Sequence, residues 1–197
     1  MPNGSGADFQ GGISPVGGAN IYDLSTTAWD FLSFGLTGFG TPGTVKLTNT
    51  SSGVFVPTFN EFTCPSPSSG GCGTLVDSTT TLALPILNYI VFDQTAALST
   101  DGFPHHADFT LQTFSFQKIQ PTSTTLGVLI LSGSGILNFD SFDPTFATFT
   151  LTAQGPGDTS FSASLRSQGA AVPEPGSMLL MGAALAGMFA IRRRKQS

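Results

Sequence analysis

Charge is scarce in this chain. Only 10% of its 197 residues are Asp, Glu, Lys or Arg, against roughly a quarter in an ordinary soluble domain, and that excludes the composition of a typical cytosolic protein. Cations are scarcest: before residue 173 only Lys46, Lys118 and Arg166 oppose eleven acids. Three scattered cations cannot neutralise a run of phosphates, so nucleic acid is excluded as a partner. Strong helix formers are also few, whereas 25 threonines, 22 serines and 18 phenylalanines favour pleated strands and turns. With 40% of residues hydrophobic there is enough to bury one core of ordinary domain size, which excludes wholesale disorder.

Long apolar runs are missing until the end of the chain. Short ones, spaced by turn residues, begin near Tyr22, and the clearest pair closes the body. Ala147, Phe149, Leu151 and Ala153 alternate with Thr148, Thr150, Thr152 and Gln154. After Gly155-Pro156-Gly157-Asp158, the alternation resumes with Phe161, Ala163 and Leu165 against Ser160, Ser162, Ser164 and Arg166. The period of two predicts half-buried strands joined as a hairpin.

Further strands are expected over residues 28–34, 44–48, 54–62, 88–92, 109–119 and 126–131 with a continuation at 135–139. Near Thr113 the apolar phase slips from Phe109 and Leu111 to Phe114 and Phe116, which predicts a β-bulge. Eight or so strands with no helical period between them predict an all-β, antiparallel β-sandwich or jelly-roll-like body. It is expected to span residues 21–171, after a flexible or weakly attached segment, 1–20, whose isolated apolar residues follow no period.

Reactive constellations are few. Cys64 and Cys72 are the only cysteines and bracket Pro-Ser-Pro-Ser-Ser-Gly-Gly. This loop is too poor in ligands for a zinc knuckle, so a disulfide is expected over two free thiols, in an oxidising compartment. Residues 38–43 satisfy a G-x-G-x-x-G pattern, but a strand and not a helix follows, so a glycine-rich turn is expected in place of a nucleotide site.

His105 and His106 are adjacent, and on a strand they would face opposite ways, so a polar loop after Pro104 is expected and not a metal site with Asp101 and Asp108. Asp140 and Asp143 lack the spaced acidic loop of a calcium site. No G-x-S-x-G elbow is present, no pair of the eleven acids is singled out for glycoside hydrolysis, and neither a cofactor nor enzymatic activity is expected. Trp29, Tyr22 and Tyr89 carry rings able to stack on a sugar, though a lone Trp in a strand is expected in the core.

The one long uncharged run is residues 176–191. Sixteen residues without proline, apolar all round the helical wheel, make a helix of about 24 Å, and the immediate Arg192, Arg193, Arg194 and Lys195 can snorkel to lengthen the span and hold that end on the cytoplasmic side. Just before it, Pro173-Glu174-Pro175 keeps the backbone extended, the form a protease or transpeptidase groove binds. Together these parts, over residues 172–197, closely resemble the PEP-CTERM sorting signal.

That resemblance implies an integral membrane partner, the exosortase, with Pro173, Glu174 and Pro175 as its recognition element and Arg192 to Lys195 as the stop. It also implies transient anchorage in the inner membrane by residues 176–191 with the body outside, then release to the surface or exterior of a bacterium that makes exopolysaccharide. Gly133-Ser134-Gly135, Phe142-Asp143-Pro144-Thr145 and the strands after them are similar to the closing strands of ectodomains found ahead of such tails, which implies a β-rich secreted module. Family members enter export by a signal peptide, and residues 1–8 have neither a basic nor an apolar region, so the true start is expected upstream. The expected role is structural or adhesive and associated with exopolysaccharide; a carbohydrate-binding module is the alternative, ahead of a secreted hydrolase.

Overall fold

The computed structural model describes residues 5–32, 40–52, 73–94, 102–140 and 142–168. These form ten strands and, among the described residues, no helix: β1 (Gly6–Val16), β2 (Ala28–Leu32), β3 (Gly43–Ser52), β4 (Gly73–Leu75), β5 (Ser78–Thr79), β6 (Ile86–Gln94), β7 (His105–Ile119), β8 (Val128–Phe139), β9 (Phe142–Gln154) and β10 (Thr159–Ser167). The body is all-β and antiparallel, as expected. It is not two packed sheets or a jelly roll, however. The strands follow one another as β10-β9-β8-β7-β6-β4-β3-β1, and β1 pairs again with β10, so eight strands close into a barrel. The short pair β2 and β5 hangs from the second half of β1.

Closure depends on the segment expected to be flexible. Gly6 to Ile13 pair with Arg166 to Thr159 of β10, while Gly6 to Gln10 pair on their other edge with β3. Ala7, Phe9 and Ile13 point inward and are buried. Gly11 takes the inward position between Phe9 and Ile13 because the Phe161 ring fills that space, 2.8 Å from where a Cβ would stand. The period of two is therefore present in β1, but one of its inward positions is a glycine. An ion pair between Arg166 and Asp8 joins the two strands on the outside.

The hairpin read from sequence is β9 and β10, with Leu165 opposite Phe149 and Ala163 opposite Leu151, and all of its inward residues are buried. The bulge is also where the phase slip puts it. Leu111 pairs with Gly135 and Thr113 with Ser134, leaving Gln112 as the extra residue. Beyond it Phe114, Phe116 and Lys118 face inward. The interior is filled by edge-to-face rings, among them Phe9 on Phe92 at 5.5 Å, Phe31 on Phe161 at 5.5 Å and Tyr89 on Phe149 at 5.6 Å. Such pairs add packing energy beyond the area they bury.

One end of the barrel, called here the far end, is sealed by residues 17–27, the connection from β1 to β2. Ile21 and Tyr22 are buried there. Lys118 Nζ donates to the carbonyls of Asp23 and Thr26 and lies 5.3 Å from the centre of the Trp29 ring, and Gln120 donates to the Tyr22 carbonyl. Burial pulls the Lys118 pKa down, with Asp23 opposing. Asp77 fastens β2 from the side by accepting the backbone N–H groups of Phe31 at 2.8 Å and Gly40 at 2.6 Å. After the glycine-rich turn, in which Gly40 has φ 101°, β3 begins.

Candidate functional site

At the opposite, near end lie the last residues of β6, β8 and β10 and the first of β1, β7 and β9. His105 and His106 open β7 and do not form a loop after Pro104. Their side chains diverge as a strand requires. His105 Nδ1 is 2.6 Å from Asp140 Oδ2, on the β8–β9 turn, and its ring stacks on Phe139. His106 Nδ1 is 2.7 Å from Asp93 Oδ1 and its Nε2 is 3.5 Å from Asp108 Oδ2, while Asn138 donates to Asp108. Asp140 also accepts the His106 N–H; Asp143 is exposed as the second residue of β9. Among the described residues no three His, Cys, Asp or Glu side chains are placed to hold one metal ion.

The hydrogen bond to Asp93 is the largest influence on His106 and raises its pKa. The folded state therefore holds this proton more tightly than the unfolded chain, so the contribution is complete below about pH 6.5 and fades as the pH rises through the higher folded value. Because the two side chains are 53% and 73% exposed, it amounts to less than about 1 kcal/mol. Thermal unfolding of the parent chain and Asp93→Asn is expected to differ most below about pH 6.5 and to converge as the pH rises through the raised folded-state value of His106. A difference independent of pH contradicts the assignment.

The three aromatic residues able to stack on a sugar are all in the core. Trp29 is 0% exposed, donates its Nε1–H to the Ile21 carbonyl at 2.9 Å and packs on Phe116 at 5.3 Å. Tyr22 belongs to the far-end seal, and Tyr89 is buried with its hydroxyl 2.6 Å from Ser78 Oγ; burial pushes that phenol up. None of these rings presents a face to the outside.

The outer face of β7 to β10 carries rows of hydroxyls. Strand register places Ser115, Ser132, Thr150 and Ser164 in one row across β7 to β10, with Thr113, Ser134 and Thr148 in the row beside it. Thr113 Oγ1 and Ser134 Oγ are 2.7 Å apart, and Ser115 Oγ and Ser132 Oγ 2.8 Å apart. Apolar residues inside and hydroxyls outside are the reverse of a lipid-facing barrel. The outward serines and threonines were visible in the sequence as the polar half of each alternation; their alignment into rows depends on register, and the separate strands do not reveal it.

Pro173, Glu174 and Pro175, Arg192 to Lys195, residues 176–191, Cys64, Cys72, Asp101 and the strand expected over residues 54–62 all lie outside the described residues. Among the described residues no helix is long and apolar enough to cross a membrane. The chain leaves the barrel at the near end, where the Gln168 N–H donates to the Phe146 carbonyl at 2.8 Å.

Fold and tail together define a β-barrel carried on a C-terminal address. Residues 171–195 match the family described as the PEP-CTERM protein-sorting motif, and the chain is a PEP-CTERM sorting domain-containing protein. The motif marks an exported protein, held at the membrane, recognised there by an exosortase and passed to the cell surface. No curated protein and no solved structure matches the chain.

Proposed function

We propose that the barrel is a structural or adhesive, non-catalytic module of the cell surface or extracellular matrix, associated with exopolysaccharide, and that its tail serves only to deliver it. The observation that carries this role is the pairing of a sorting tail with a closed barrel whose interior is packed with side chains and whose β7 to β10 exterior carries rows of serine and threonine hydroxyls. A neutral, hydroxylated face forms and exchanges hydrogen bonds with a hydrated polymer without the charge that would bind other macromolecules indiscriminately. In this role Pro173, Glu174 and Pro175 are the recognition element, Arg192 to Lys195 the stop, and Cys64 with Cys72 a disulfide formed outside the cytoplasm.

Deletion of the gene is expected to reduce the cohesion of flocs or biofilm, with restoration by the full chain and none by a chain lacking residues 172–197. Unaltered cohesion and surface composition would overturn the structural role. The hydroxyl rows also favour a second role, a carbohydrate-binding module, with the rows and not the aromatics as its contact surface. Retention on the host's own polysaccharide would then fall on replacing Ser132 and Thr150 with alanine. Turnover of a polysaccharide or ester by the purified barrel would instead make it a hydrolase.

A further inference from the structure

The sequence contains one Asp-Pro bond, Asp143–Pro144, near the start of β9. Leu137 pairs with Thr145 and Phe139 with Phe142, so Asp143 and Pro144 stand together opposite Asn138 alone, in a bulge. On their other side β10 stops short, its last pair being Ser167 with Ala147. The Asp143–Pro144 bond thus lies outside both ladders, and both residues are exposed. Proline has no N–H to give a ladder, which confines it to such places. The next residue turns back inward: Thr145 is buried and donates its Oγ1–H to the Asp143 carbonyl oxygen at 3.0 Å. That carbonyl is the one bonded to the Pro144 nitrogen. A carboxylate, a carbonyl within its reach and a donor on the carbonyl oxygen are brought together by three consecutive residues.

We propose that Asp143–Pro144 is a self-cleavage site, with the Asp143 carboxylate as nucleophile and the Thr145 hydroxyl as the donor to the oxyanion. One side-chain oxygen of Asp143 attacks the backbone carbonyl carbon of the same residue and closes a five-membered ring, an intramolecular approach that needs no second reactant. Negative charge gathers on the carbonyl oxygen, where the Thr145 O–H already points. The C–N bond then breaks; its electron pair stays on the proline nitrogen, which takes a proton from solvent and leaves as a secondary amine. Pro144 makes this a tertiary amide, whose nitrogen is the more readily protonated as it leaves. A cyclic anhydride remains on Asp143, and water opens it to two carboxyl groups. One peptide bond and one water are exchanged for a new C-terminus at Asp143 and a new N-terminus at Pro144, and nothing is oxidised or reduced. The two parts stay together while folded. From Thr145 to Gln154 the second part remains paired with β8, and through β10 it remains paired with β1. Cleavage therefore turns a covalent link into one held by strand pairing, which parts when the barrel unfolds.

The test is intact-mass and terminal-peptide analysis of the full chain in mild detergent at about pH 5, folded and in concentrated urea, with circular dichroism reporting the fold. The expected products end at Asp143 and begin at Pro144, and they form about tenfold or more faster from the folded chain than from the unfolded one. Asp143→Asn is expected to abolish them. Thr145→Val is expected to slow the folded chain to the unfolded rate, and Thr145→Ser, which keeps the hydroxyl, to restore it. Should Thr145→Val fail to fold, the ratio of folded to unfolded rates in the parent chain decides alone. Cleavage no faster in the folded state reduces the bond to the general acid lability of Asp-Pro and overturns the proposal. Products that persist in Asp143→Asn, a folded Thr145→Val that cleaves as fast as the parent, or an intact parent chain overturn it equally.

Discussion

Replacing Trp29 with alanine is expected to cost about 3–5 kcal/mol, a large share of the roughly 5–15 kcal/mol that holds a domain folded. The indole is wholly buried and its N–H is committed to the Ile21 carbonyl, so truncation empties a ring-sized volume and orphans an acceptor in the seal of the far end. It also removes the surface on which Phe116 and the Lys118 ammonium rest. For a barrel of this size the melting temperature is expected to fall by about 10 °C. Leu24→Ala, at a side chain 85% exposed on the same connection, is expected to change stability by less than about 0.5 kcal/mol. Urea unfolding of the two variants compares them directly, and equal stability would place Trp29 outside the core.

Gly135→Ala is expected to be worse than its size suggests, with a loss of at least about 3 kcal/mol and poor accumulation of folded protein. A Cβ at Gly135 would be driven into the Thr110 carbonyl oxygen and stand 3.1 Å from the Gln112 nitrogen. These are backbone atoms of the bulge, so no side-chain rotation relieves the clash. Gly157→Ala separates this steric effect from a conformational one. Gly157 has φ 59° and open space around it, so it carries only the left-handed backbone cost of about 1–2 kcal/mol. Unfolding midpoints that rank Gly157→Ala below Gly135→Ala would contradict the close approach at the bulge.

The bulge was legible in the sequence because an extra residue shifts the apolar phase, and the β9–β10 hairpin because over residues 147–154 and 160–166 the inward residues are apolar and the outward ones polar. β1 was not, since Gly6, Gly11 and Gly12 interrupt its alternation; glycine is there because Arg166, Phe161 and Leu32 of neighbouring strands occupy the space a side chain would need. Missing β1 also hid the closure. A sandwich and a barrel present the same alternation strand by strand, and the difference lies in one pairing, Gly6 to Ile13 with β10, between segments some 150 residues apart.

The candidate site divides in the same way. The sorting tail is a linear signal whose parts are contiguous, so its order and spacing are readable directly. The nearest carboxylate partners of His105 and His106, Asp140 and Asp93, come from the β8–β9 turn and β6, and the hydroxyl rows from four strands, so both wait on register. Trp29 drew attention as a possible sugar platform because it is the only tryptophan; its hydrogen bond to Ile21 and its contact with Lys118 show that a connection of the same chain already covers it.

That residues 171–195 are a processing signal and not a permanent part of the protein is the central claim, and terminal-peptide mass spectrometry of the mature protein from membranes and culture supernatant tests it most directly. The expected result is a chain ending near Glu174 or Pro175, without residues 176–197, in the surface and supernatant fractions. Surface protein that still yields peptides running through Arg192 to Lys195 would contradict it, and would make the tail a simple single-span anchor.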